Sequence, residues 1–236
     1  MGSLCYNIPM NSISVVIPCY NEEASIGQVV ESVLRENVLE VIVVDNNSTD
    51  GSGAAAERAG GRVVKETTQG YGAALKAGFR AAEGDVIVTL DADGQYPAEK
   101  IAALAKLLEE EHLDFISGNR LPFTKGSESF IRTFGNKFLT FAANAVFGIS
   151  LKDSQSGMWV FRRSALEKIF PESDDMPLSE EIKIRAILHP EVSFKEFYIP
   201  YRPRIGESKL SPLKHGFKNL FYLFSLKKRI SHGKKA

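Results

Sequence analysis

In the first half of the chain, apolar residues gather in short, nearly unbroken β-branched runs. ISVVIP (13–18), VIVVD (41–45), RVVK (62–65), DVIVTLD (85–91) and LDFISG (113–118) read as strands. Most are apolar on both faces, as a parallel sheet covered on both sides requires. Between them the spacing predicts helices over about 22–35, 51–59, 70–82 and 97–110, with Pro97 suited to a first turn. Alternating strand and helix predicts a doubly wound, mostly parallel α/β sheet of Rossmann-like form, whose ligands sit beyond the carboxyl ends of the strands. That rule brings PCYNEE, DNNSTDG and DADGQYP to one crevice.

After residue 120 the pattern changes. A helix over 128–147 carries Phe130, Phe134, Phe138, Phe141 and Ala145 at helical spacing, a stripe expected to face the core. SGMWVFRR (156–163), a helix over about 178–188, VSFKEFYIP (192–200) and the loop YRPRIGESK (201–209) follow. Ser211 and Pro212 suit the N-cap and first turn of a last helix. On it Leu213, Phe217, Leu220 and Phe224 share a face, flanked by Lys214, Lys218, Tyr222, Ser225 and Arg229. An apolar face with basic flanks fits the surface of an anionic membrane. With no repeat and no flexible linker, the expected organisation is a catalytic domain over 1–211 followed by a basic amphipathic helix and tail over 212–236.

Composition adds little until it is divided by position. The 236 residues are 44% hydrophobic and 25% charged, which excludes disorder. The 29 basic residues match the 29 acidic ones, so bulk charge favours neither nucleic-acid nor acidic partners. From Ser208 onward, however, eight basic residues stand with no acidic one, against 21 basic and 29 acidic before it. The tail is a basic appendage on an acidic body. Its aromatics share one helical face instead of forming a stacking platform, which argues against nucleic acid. Two cysteines, Cys5 and Cys19, give neither a disulfide framework nor metal-ligand spacing, so a reducing compartment is expected and Cys19 reads as a small buried side chain. The first twelve residues carry no signal or transit pattern. The longest uncharged apolar-rich stretch, 138–151, would reach only about 21 Å as a helix, short of a bilayer core of roughly 30 Å.

The chemistry concentrates at VTLDADGQYP, where Asp91 and Asp93 follow a strand. Carboxylates one residue apart at a strand end can share a divalent cation, and oxygen ligands favour Mg2+ or Mn2+ over Zn2+. Such a cation neutralises a diphosphate and stabilises it as a leaving group. An ordinary Asp-Gly turn is the competing explanation for a lone Asp-x-Asp.

VVIPCYNEEASI, VIVVDNNSTDGS, GYGAALKAGFRAAEGDVIVTLDADGQYP, ISGNR, DSQSGMWVFRR and YRPRIGESKL, in this order over residues 12–211, resemble the family 2 glycosyltransferases of GT-A fold. Within them the sequence is most similar to the dolichyl- or polyprenyl-phosphate sugar synthases. The resemblance implies that Pro18, Tyr20, Glu22 and Asp45 line the base and ribose of a nucleotide-sugar. It implies that Asp91 and Asp93 serve as nucleotide and metal carboxylates, and Gln95 as a polar metal-site residue. Arg120 would face donor or acceptor phosphates, Arg132 would bind the acceptor phosphate, and Arg204 and Lys209 would close over the diphosphate. Arg202 competes with Arg204, because the arginine-to-lysine spacing is one residue shorter than in mannosyl-type synthases. Two departures leave the donor open, with a UDP-sugar favoured over GDP-mannose: VVDN stands for the commoner VVDD, so Asn46 lacks a charge, and Gly94 replaces a leucine frequent in mannosyl-type members.

The resemblance further implies an inverting, metal-dependent transfer to a polyprenyl or dolichyl phosphate. A phosphate monoester is largely anionic at neutral pH and needs no strong base. The expected place of work is the cytoplasmic face of a membrane, peripherally bound, with room for a homo-oligomer. The main alternative acceptor is a sugar hydroxyl in a growing polysaccharide or glycan, for which Glu180 or Glu181 would be the base; an acidic helix start explains the same pair. A nucleotidyltransferase is a more distant alternative, disfavoured because PCYNEEAS is acidic where that class needs a glycine-rich basic loop. The G-x-G-x-x-A match at 51–56 lies six residues beyond its strand, too far for a dinucleotide fingerprint. Intact DADG and GESK argue against a non-catalytic binding module.

Overall fold

A computed structural model describes residues 12–124, 126–206 and 212–233. Its element order is β1 (Ile13–Cys19), α1 (Glu23–Leu34), β2 (Glu40–Asp45), α2 (Ser52–Arg58), β3 (Arg62–Lys65), α3 (Tyr71–Ala81), β4 (Val86–Thr89), α4 (Ile101–Glu110), β5 (Phe115–Asn119), α5 (Phe130–Phe147), β6 (Trp159–Arg162), α6 (Arg163–Ile169), α7 (Leu178–Leu188), β7 (Phe194–Tyr198) and α8 (Pro212–Gly233). The strands form one sheet in the order β3-β2-β1-β4-β6-β5-β7. Only β6 runs antiparallel, to both β4 and β5. The doubly wound α/β expectation therefore holds, with one reversed strand inserted.

Successive side chains of each strand enter opposite layers, as the two-residue period dictates. Val15, Ile17, Val41, Val43 and Val88 pack under α1 and α4 through Ile26, Val30, Ile101, Leu104 and Leu108. Val16, Ile42, Val44, Ile87, Phe115, Trp159 and Phe161 pack on the other face against Leu75 and Phe79 of α3 and Leu178 and Ile182 of α7. A third cluster, Ala143, Phe147, Leu151, Ile184, Leu223 and Leu226, ties α5, α7 and α8 together.

One expectation about a helix face changes. The phenylalanine stripe of α5 does not face the core: Ile131, Phe134, Phe138 and Phe141 are 66, 67, 48 and 70% exposed. The helix instead buries Leu139, Thr140, Ala143 and Phe147. Both faces are apolar, so periodicity alone could not choose between them. On α8 the buried seam is Asn219, Leu223 and Leu226, whereas Phe217, Phe221 and Phe224 stay exposed. Two of its basic flank residues are already engaged by the body, Lys218 with Asp175 and Arg229 with Glu172. Among the described residues no helix is long and apolar enough to cross a membrane.

Candidate active site

The carboxyl ends of β1 and β4 open into a cavity of about 680 Å³. Pro18, Tyr20, Glu22, Asp91, Asp93 and Arg204 line its polar end, and Ile131, Arg132, Phe134, Phe138, Phe217 and Leu220 line the end formed by α5 and α8. One continuous space thus joins an acidic strand end to two exposed aromatic helix faces.

Asp91 and Asp93 lie just beyond β4. Tyr71, the first residue of α3, donates its hydroxyl to Asp91 Oδ1 at 3.0 Å. Asp93 accepts the Gln95 N–H at 3.0 Å on Oδ1 and the Arg204 guanidinium at 2.7 Å on Oδ2. Burial raises the Asp91 carboxyl above its usual range and the neighbouring Asp93 raises it further, against the Tyr71 hydrogen bond. Burial likewise raises Asp93, opposed by the Gln95 N–H and by Arg204.

Arg204 reaches this pair from a strap laid along the turn after β4. The Arg202 N–H donates to the Gln95 carbonyl and the Ile205 N–H to the Asp93 carbonyl, both at 3.0 Å. Gly94 is at φ +75°, and a Cβ there would lie 2.9 Å from Ile205 Cδ1. Glycine in place of leucine at 94 therefore suits the left-handed backbone of this turn, while the end of the Ile205 side chain could move aside. The second Arg204 prong pairs with Glu22, while Arg204 Nε is buried with no partner among the described residues. Of the two competing arginines, Arg204 enters the site; Arg202 pairs with Glu99 at the surface. Lys209 lies outside the described residues.

Several expected ligands are placed otherwise. Gln95 is not turned to the carboxylates as a metal ligand: its Nε2 donates to the Ser127 and Arg202 carbonyls and its Oε1 accepts from Tyr201, so it ties the strap down. Arg120 is bonded to buried Asp153 through Nε and Nη2 at 2.7 and 2.9 Å. Its guanidinium also lies over the Phe123 and Tyr201 rings; Arg120 lines the cavity, and its charge favours the ionised Asp91 and Asp93. Asp45 accepts the Ser48 N–H at 3.0 Å, which holds the turn after β2, and does not line the cavity. Arg132 lines the cavity, with Glu128 at 3.4 Å. Asn46 explains the missing second aspartate: its amide donates to the Glu66 and Thr68 carbonyls at 2.9 and 2.7 Å while its oxygen accepts the Gly70 N–H at 2.7 Å. An aspartate could not donate either of those bonds. Cys19 is buried, and burial pushes its thiol up to about 12, so it is inert.

A model of "Glycosyl transferase family 2" matches residues 14–170. The chain belongs to that family. The transferase is 35% identical over 210 residues to a dolichyl-phosphate hexose transferase of Haloferax volcanii, covering 87% of this chain and 90% of the relative. It is 30% identical over 220 residues to an undecaprenyl-phosphate 4-deoxy-4-formamido-L-arabinose transferase of Proteus mirabilis, covering 87% of this chain and 64% of that protein. Its fold is the GT-A fold. Glucosyl-3-phosphoglycerate synthase of Mycobacterium tuberculosis, solved with Mn2+, UDP-glucose and phosphoglyceric acid, superposes with TM-score 0.73 at 23% identity, over 92% of this chain and 80% of that one. The same enzyme has been solved with Mg2+ and UDP.

The transferase's donor set fits a divalent cation. Two carboxylates that burial pushes towards protonation, Asp91 further through the charge of Asp93, are relieved by a shared positive charge. Among the described residues no cluster of three His, Cys, Asp or Glu side chains exists that could hold a metal.

The acidic pair at the start of α7 divides into two roles. Glu181 is a structural hub, accepting the Glu172 and Ser173 N–H groups, Arg185 Nε and the Tyr222 hydroxyl. Glu180 is fully buried, and burial pushes its carboxyl up to about 8. It contacts Gln155, which together with Ser179 lines the cavity where Glu180 itself does not. Tyr71, Gln155 and Asp153 were not singled out from the sequence, because each acquires its role from a partner 20 to 33 positions away.

Proposed function

We propose that this glycosyltransferase moves a hexose, with inversion, from a nucleotide-sugar to a polyprenyl or dolichyl phosphate at a membrane surface. The observation that carries the reading is the single cavity with a carboxylate pair at one end and exposed aromatic faces of α5 and α8 at the other. A charged donor and a lipid acceptor need those two surfaces side by side. The dolichyl-phosphate and undecaprenyl-phosphate relatives support the acceptor class. The UDP complexes of the structural neighbour favour, for this chain, a uridine over a guanosine donor.

In this reading Asp91 and Asp93 hold a Mg2+ or Mn2+ ion, which when bound would neutralise the departing diphosphate. Arg204, with its orphaned Nε, turns from the carboxylates to the diphosphate, and Lys209 joins it. Arg132 orients the acceptor phosphate at the mouth between α5 and α8. Positioning and charge neutralisation then suffice, because the attacking oxygen is already anionic. Glu180, screened by Gln155, is not a base in this scheme. The exposed phenylalanines of α5 and α8 take up the isoprenoid and rest on the bilayer.

Incubating the protein with UDP- and GDP-hexoses, Mg2+ or Mn2+ and polyprenyl phosphate, followed by mass spectrometry of the extracted lipid, tests this directly. A hexosyl-phosphoryl lipid is expected, with Asp93→Ala losing far more turnover than Glu180→Ala. Turnover on lipid-free glycans alone, or the reverse ranking of the variants, would move the acceptor to a sugar hydroxyl.

A further inference from the structure

We propose that Tyr71 is a positioning residue for Asp91: its hydroxyl clamps Oδ1 and so leaves Oδ2 aimed for the cation of the donor complex. The inference rests on the reading of Asp91 and Asp93 as cation ligands given above.

The two carboxylates are held very differently. Asp93 is fixed by a backbone N–H on one oxygen and a guanidinium on the other. Among the described residues, Asp91 accepts one hydrogen bond, from Tyr71 at 3.0 Å, and Oδ2 accepts none. The phenol is thus the one hydrogen-bond donor, among the described residues, that orients the Asp91 carboxylate.

The phenol is itself fixed from two sides. The Asn46 side-chain oxygen accepts the Gly70 N–H at 2.7 Å, and the Asp174 carbonyl accepts the Ala73 N–H at 2.9 Å, so the first turn of α3 has little freedom. Opposite, Gly157 presses its backbone against the pair. A Cβ at 157 would stand 2.6 Å from the Tyr71 hydroxyl and 3.1 and 3.3 Å from the two Asp91 oxygens. Gly157 cannot retreat easily: its N–H donates to the Tyr96 hydroxyl and its carbonyl accepts from Thr89, both at 2.6 Å. Lys183 holds the preceding turn through the Asp153 and Ser156 carbonyls at 3.2 and 2.9 Å. A partner bonded to a metal-ligating side chain sets its orientation, and removing such a partner weakens metal binding by roughly 10- to 100-fold.

The test is Mn2+ binding, read from the free-ion EPR signal, to the full chain with UDP or GDP, whichever binds the unsubstituted protein. Tyr71→Phe removes the hydroxyl and keeps the ring. Its Mn2+ affinity in the presence of nucleotide should fall tenfold or more, while nucleotide affinity in EDTA, the KM for polyprenyl phosphate and the melting temperature stay close to those of the unsubstituted protein. Gly157→Ala, which wedges the pair apart, should show the same metal-specific loss. Unchanged Mn2+ affinity in Tyr71→Phe overturns the inference, as does an equal loss of nucleotide binding with and without metal, which would make Tyr71 a donor contact. If the unsubstituted protein shows no metal-dependent nucleotide binding, or if Asp93→Ala binds metal and nucleotide as well as it does, the cation reading itself falls and this inference with it.

Discussion

Arg120 ends the ISGNR run, where a phosphate-binding arginine is the natural reading, yet its guanidinium is bonded to Asp153 and both side chains are buried. Burial alone would raise the Asp153 carboxyl, but the arginine holds it below its ordinary value. Breaking such a pair strands the remaining charge and costs about 3–5 kcal/mol. Arg120→Met should therefore lower the melting temperature by on the order of 10 °C, with or without nucleotide present. A normally stable variant with a selectively raised KM for the donor would show instead that Arg120 is a ligand. The same contrast marks the limit of the sequence at this scale. Asp91 and Asp93 were legible because one residue separates them and a strand end fixes where they point. Arg120's partner lies 33 positions away and Tyr71's 20, so the fold is needed to bring them together. Asn46 is intermediate: the sequence marked it as unusual, but only the loop at 66–70 explains the need for an amide.

The helices α5 and α8 each carry one buried and one exposed apolar face. Fully burying one phenylalanine is worth about 1.5–3 kcal/mol, whereas a basic residue near an anionic surface contributes roughly 1 kcal/mol. Lys218 and Arg229 are already paired with Asp175 and Glu172. Docking through α5 and α8 should accordingly be driven more by aromatics than by charge. Phe134→Ser with Phe141→Ser should abolish co-flotation with anionic vesicles while leaving the melting temperature unchanged, because both side chains are exposed. In the unsubstituted protein much of that binding should survive about 0.5 M salt, at which a charge-only attachment is screened; full release by salt would reverse the ranking. Helical periodicity found the stripe of α5 but assigned it to the core. Leu139, Ala143 and Phe147 form a second apolar face on the same helix, and only packing against α7 and α8 decides which of the two is covered.

At the scale of the molecule, the strand and helix alternation up to β5 was readable, because a sheet covered on both faces demands continuous apolar runs and each polar cluster sits at a strand's carboxyl end. The reversal of β6 and the seven-residue α6 were not, since four- and seven-residue segments carry too little period to be assigned. That reversal matters to the site: the turn leading into β6 brings Gly157 against Asp91 and Tyr71. The sheet thus assembles a carboxylate pair, an arginine strap and a tyrosine clamp around one end of a cavity whose other end is apolar. A crystal grown with Mn2+ and nucleoside diphosphate tests this assembly most directly, through anomalous scattering at the manganese edge. One strong peak is expected beside Asp91 and Asp93, with Arg204 turned from Asp93 to the phosphates. Nucleotide bound with no peak between the two carboxylates, and Arg204 still paired to Asp93, would contradict it.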